Sequence, residues 1–173
     1  MNKRLAFPIL AITLLTSFSI TQNRNPVATA KYAGYYSFGH DVEKGAVGSF
    51  TAYPETDSTL LFYLDICRGA PSYNLGQLFD RLVIRGDSAL YFTKEDYNEK
   101  GCKLKLYFKG DQLTIKTVEG FEECPFGGNV YADNTYYRNR ENIPEYFING
   151  EGDTIVFKNM TPEKYLHRND TRK

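Results

Sequence analysis

The chain has 173 residues, 42% of them apolar, 15% aromatic and 24% charged, with 21 basic side chains set against 21 acidic. Enough surface can be buried to exclude a disordered chain, and the length suits a single core. Zero formal net charge offers no basic footprint for DNA or RNA, so no nucleic-acid partner is expected.

In chain order the first element is an address. Lys3 and Arg4 precede an apolar stretch, Leu5 to Leu15, that is too short to span a bilayer and is followed by small and polar residues. Residues 1–21 therefore read as a secretory signal, with cleavage expected before Gln22 and a small-x-small alternative, Ala28-Thr29-Ala30, before Lys31. No cysteine follows the apolar stretch, so the lipoprotein route has no acceptor. The expected product is periplasmic or extracellular, has no stable membrane span, and keeps 19 basic against 21 acidic side chains.

Turn residues divide the remainder. Gly86-Asp87, Gly110-Asp111 and Gly152-Asp153 each lie between runs rich in Leu, Ile, Val, Tyr and Phe, the signature of hairpin turns. Strands are expected over 32–38, 47–53, 60–66, 75–84, 88–93, 102–108, 113–118, 129–137, 146–148 and 154–157. For the Gly110-Asp111 hairpin, alternation places Phe108 opposite Leu113, Leu106 opposite Ile115, Leu104 opposite Thr117, and Cys102 opposite Glu119. For the Gly86-Asp87 hairpin it pairs Ile84 with Ala89, Val83 with Leu90, Leu82 with Tyr91 and Arg81 with Phe92. Thr161 before Pro162 and Glu163 predicts a short terminal helix. These elements give a single all-β domain over residues 22–160, with residues 161–173 a helical or disordered tail. The fold expected is a small antiparallel β-barrel of lipocalin or inhibitor size, the alternative being a two-sheet β-sandwich.

Two features suggest recognition. The loop Arg68-Gly69-Ala70-Pro71-Ser72-Tyr73-Asn74 combines a cation, a hydroxyl, an aromatic ring and an amide after an apolar strand; Arg68, Ser72, Tyr73 and Asn74 are candidate ligand or partner contacts, against the plainer reading of a strand connection. Arg81 is a further candidate, because both faces of its strand are partly apolar and, if its own face is the interior, it points into the barrel, where a guanidinium needs an anionic partner or a ligand; the plainer reading puts it on the outer surface. Arg85-Gly86-Asp87 spells an adhesion tripeptide, but the turn accounts for it.

Of the three cysteines, Cys102 and Cys124 bracket the hairpin closely enough to predict a disulfide, leaving Cys67 as a free thiol that is either buried or intermolecular. Two isolated histidines, His40 and His167, and three spread cysteines match no metal-site spacing, so neither a metal nor a cofactor is expected. No phosphate loop or nucleophile elbow is present. A carboxylate pair for glycoside hydrolysis could be drawn from Glu55, Asp57, Asp65, Glu95 and Asp96, with nothing in the sequence selecting two of them.

Arg68 to Asn74, Gly101-Cys102, Cys124-Pro125-Phe126-Gly127 and Asn129 to Asp133 together resemble uncharacterised secreted bacterial proteins of β-rich build, a resemblance that covers most of the mature chain and implies no activity. Size and the single disulfide are loosely similar to periplasmic barrel inhibitors of lysozyme, at fold level only. The function expected is that of a non-catalytic, monomeric binding protein recognising a small ligand, or an envelope protein or glycan, through a loop or the barrel mouth. The alternatives are a glycan-active hydrolase and a structural or assembly protein of the envelope, joined through Cys67.

Overall fold

The computed structural model describes residues 27–94 and 100–168; the expected signal segment, Glu95, Asp96 and the end of the tail beyond Arg168 lie outside the described residues. Eight antiparallel strands close into a barrel in chain order: β1 (Gly34–Phe38), β2 (Val47–Pro54), β3 (Thr59–Cys67), β4 (Leu75–Arg85), β5 (Ser88–Thr93), β6 (Cys102–Lys109), β7 (Gln112–Glu119) and β8 (Asn134–Arg140), with β8 returning to β1. A separate hairpin of β9 (Tyr146–Ile148) and β10 (Thr154–Val156) and the short helix α1 (Pro162–Leu166) follow. Thr161 caps α1 by accepting from the Lys164 amide at 3.3 Å.

Alternation decides what lies inside. On β6, Leu104, Leu106 and Phe108 are buried while Lys105, Tyr107 and Lys109 face water. Tyr36, Phe50, Phe62, Tyr91, Phe108 and Tyr136 fill the interior, each at most 4% exposed, and Phe50 stacks on Phe62 with ring centroids 5.2 Å apart. The two fully buried tyrosines are satisfied locally: the Tyr36 hydroxyl donates to the Tyr32 carbonyl at 3.0 Å and that of Tyr136 to the Ala132 carbonyl at 3.1 Å. β3 departs from alternation, being buried on both faces from Leu60 to Leu64. Its outer side chains Leu61 and Tyr63 join Phe79 under Phe147, Ile155 and Phe157, so the β9–β10 hairpin lays a second apolar cluster on the outside of the barrel. A continuous apolar run is what a doubly covered strand requires.

The two ends of the barrel differ. At one, the β2–β3, β4–β5 and β6–β7 connections are tight, and a 3-10 turn, Ala28–Tyr32, lies across them. The Ala28 amide donates to Asp57 at 2.8 Å and the buried Thr29 hydroxyl to the Thr56 carbonyl at 2.6 Å. The Tyr32 hydroxyl lies 2.7 Å from the Gly86 carbonyl and 2.6 Å from Asp87, which also meets Lys31 at 3.2 Å. The acid of the Arg85-Gly86-Asp87 tripeptide is thus engaged in closing the barrel. At the other end the connections are long, and the Cys102–Cys124 disulfide, S–S 2.07 Å, ties the start of β6 to the β7–β8 connection.

Several expected boundaries and registers shift. Phe108–Leu113, Leu106–Ile115 and Leu104–Thr117 pair as anticipated, but a bulge next to Leu104 places Lys103, not Cys102, opposite Glu119. Gly120 then turns in the left-handed region, φ 68°, so close to Gly101 that a Cβ would sit 1.7 Å from its carbonyl oxygen; only glycine fits. β4 and β5 pair only at Ile84–Ala89 and Arg85–Ser88; the pairs expected for Val83, Leu82 and Arg81 do not form. The strand expected from Asn129 begins at Asn134, since Asp133 turns back to accept from the Thr117 amide and hydroxyl. Tyr32 belongs to the 3-10 turn rather than to β1, and Phe157 starts a 3-10 turn after β10.

Candidate functional site

β1, β2 and β3 expose an outer face on which cross-strand register builds two rows. Ser37, Ser49, Asp65 and Gln77 form one, and Tyr35, Thr51, Tyr63 and Phe79 the next. From the end of β8 the chain crosses this face as the segment 140–148, which ends with β9. Between the strap and the wall lies a trough of about 790 Å³, its floor made by Tyr35, Ser49, Thr51, Tyr63 and Asp65 and its rim by Arg140, Asn142, Glu145 and Tyr146. A second hollow of about 310 Å³ shares Tyr35, Ser49 and Asp65 and extends to Cys67 and Leu75 at the long-loop end. The two hollows adjoin at these three shared residues and together form a channel along the outside of the barrel. Arg140 sits 5.9 Å from the Tyr35 ring, holding cation and aromatic together at one end.

The polar floor is partly buried. Tyr63 is 3% exposed, its ring stacked 4.1 Å from Phe147, and its hydroxyl is shut away from solvent near the Gly150 backbone. Burial pushes the Tyr63 phenol well above its ordinary value, and the neighbouring Asp65 charge adds to the effect. Burial also raises the Asp65 carboxyl, against a hydrogen bond from the Gln77 amide at 3.1 Å that favours the charged form. Asp65, with Ser49, Thr51 and Arg140 lining the same hollow, supplies the hydrogen-bond acceptors and donors that recognition of a hydroxylated or amide-bearing ligand requires.

The residues singled out from the sequence lie elsewhere. Among the described residues the Arg68 guanidinium donates to the Ser72 hydroxyl, at 3.4 Å. Tyr73, 43% exposed, donates to Glu43 at 2.7 Å, and the Asn74 amide donates to the Gly128 carbonyl at 2.7 Å. Gly69, φ 83°, lies so close to Gly45 that a Cβ would meet its carbonyl oxygen at 2.3 Å, and the Ala70 amide donates to Val42 at 2.9 Å. The loop is bound to two neighbouring loops and begins where the channel ends at Cys67. Arg81 points outward from β4, gripping Glu55 at 2.6 and 2.8 Å with Glu163 at 3.4 Å; its anionic partners are on the outside of the barrel. Arg81 holds the Glu55 carboxyl below the ordinary range, with help from the Thr59 hydroxyl.

Of the acids considered for a catalytic pair, Glu55 is taken up by Arg81 and Asp57 by the Ala28 amide, whereas Asp65 faces the channel. Glu145, on the channel rim, has no neighbouring motif that singles it out in the sequence. Cys67 carries a free thiol on the channel wall. Among the described residues no group of three or more His, Cys, Asp or Glu is arranged to hold a metal ion, and no helix is long and apolar enough to cross a membrane.

Fold and disulfide together define the class, a small all-β protein built as a closed eight-stranded antiparallel barrel with one internal disulfide. No family model matches the chain, and comparisons with curated proteins and with solved structures return no match.

Proposed function

We propose that the protein is an exported, non-catalytic binding protein whose ligand lies outside the barrel, in the channel between the β1–β3 wall and the 140–148 strap. The observation that carries this reading is the open hollow itself, where Arg140 lies 5.9 Å from the Tyr35 ring and the Asp65 carboxyl faces the same space. The interior is occupied by stacked aromatic rings, which argues for the outer wall over the lumen. A small ligand, or a short stretch of an envelope glycan or protein, fits an open channel along which the rings of Tyr35 and Tyr146 are exposed. Export fits the disulfide. Cleavage before Gln22 suits the fold better than cleavage before Lys31, which would remove the buried Thr29 and its bond to Thr56.

Native mass spectrometry of the protein from its own envelope, compared with the denatured sample, tests the reading. A mass excess that Tyr35→Ala and Arg140→Ala reduce, and Tyr73→Ala leaves intact, is the expected result. An excess lost only in Tyr73→Ala or Arg68→Ala would return the site to the 68–74 loop. One observation favours a second reading, a glycan-active hydrolase: Asp65 and Glu145 line the same channel, and the raised carboxyl suits a general acid. Release of reducing ends from envelope glycan, abolished by Asp65→Asn, would decide for it.

A further inference from the structure

On the side of the barrel opposite the channel, β5, β6 and β7 carry a wall of another character. Leu90, Phe92 and Tyr107 stand outward at 61%, 51% and 48% exposed, far from the apolar cover that the β9–β10 hairpin gives β3. Lysines alternate with them: register sets Leu90 beside Lys105 and Phe92 beside Lys103, whose ammonium lies 5.5 Å from the Phe92 ring. Lys105 in turn faces Lys116 directly across the β6–β7 ladder, both on the outer face. Like charges opposite one another weaken a sheet, so this pair is a cost to the free protein. The acids on this face go to the flanking cations: Glu119 pairs with Lys103, and Asp133 lies 3.9 Å from Lys116. Lys105 has no ion pair among the described residues.

We propose that this wall is a docking surface for an anionic lipid membrane, on which the barrel rests peripherally. An anionic surface removes the Lys105–Lys116 repulsion, and the apolar side chains enter the interfacial layer between the headgroups while the flexible lysine stems keep their charges among them. An acidic protein partner is disfavoured, because the apolar groups project singly from a strand wall and offer no pocket for an anchor residue. The inference stands apart from the channel and its ligand.

The chain contains no tryptophan, so Phe92→Trp places a single fluorophore on the wall. Vesicles of equimolar phosphatidylcholine and phosphatidylglycerol should shift its emission to the blue, vesicles of phosphatidylcholine alone should not, and high salt should reverse the shift. Lys105→Glu should weaken co-sedimentation with the anionic vesicles at least fivefold, since about that factor accompanies each lysine at an anionic surface and here a charge is also reversed. The same substitution removes the repulsion with Lys116, so its melting temperature should equal or exceed that of the wild type. Unshifted emission would overturn the proposal, as would vesicle binding that Lys105→Glu leaves intact, which would run through another part of the chain such as Leu5 to Leu15. Binding to a soluble acidic polymer without binding to vesicles would overturn it in favour of a purely electrostatic partner.

Discussion

Asp65 and Glu55 illustrate opposite uses of a carboxylate on the same sheet. Burial raises Asp65, so the folded state holds that proton more tightly than the unfolded chain does. Its contribution favours the fold at low pH and is lost as pH rises from the ordinary carboxylate value through the raised one. Asp65→Asn, which keeps an oxygen for Gln77, should therefore raise the melting temperature at neutral pH, and the gap should close below about pH 4. Glu55 behaves in reverse: Arg81 lowers it, so the stabilisation is present above the ordinary value and fades as pH falls through the lowered one. Both partners are partly buried and the pairing is bidentate, which places Arg81→Ala near the top of the range for surface pairs, about 1 kcal/mol. Urea denaturation at neutral and acid pH measures both, and a cost for Arg81→Ala unchanged in acid would refute the assignment. Neither role is legible in the sequence. Asp65 and Glu55 look alike there, and only the strap above one and the guanidinium beside the other separate them.

At the scale of elements, hairpins are legible wherever the turn has two residues and one face is wet. The β6–β7 register follows from the alternation of Leu104, Leu106 and Phe108 with three exposed side chains, and the disulfide follows from its nearness. The bulge at Lys103 does not, because an extra residue changes no composition; it is absorbed by the left-handed Gly120 and the reach of Asp133 to Thr117. Replacing Cys102 and Cys124 together with alanine should cost about 3 kcal/mol, the loop-closure value for a separation of this order, in urea denaturation without reductant. The outer hairpin is the other element open to test. Phe147 is 4% exposed and packs on Tyr63, Phe79 and Phe157, so Phe147→Ala should cost about 3–5 kcal/mol and expose the strap to limited proteolysis. A loss below about 1 kcal/mol would mean that the hairpin adds little to the fold.

The barrel as a whole was within reach of the sequence, since many short strands of one rhythm must hide their edges. The channel was not, because its residues come from β1, β2, β3 and a segment some eighty positions later, brought together only when β8 closes on β1. The 68–74 loop looked more chemical than the channel because its polar residues are contiguous, but most of its groups are spent on neighbouring loops. Closure also fixes the interior: Phe50→Ala should remove the stack with Phe62 and cost about 3–5 kcal/mol, with no effect on channel binding measured at a temperature where the variant is folded.

The turn Ala28–Tyr32 lies across the tight-turn end, with Val27 just before it. A resin, chip or fusion partner coupled ahead of Val27 would therefore hold the molecule by that end and turn the long loops outward. Immobilised in this orientation, the barrel would leave the Cys67 mouth of the channel open to solution, whereas coupling through the lysines of β6 would set it on its side.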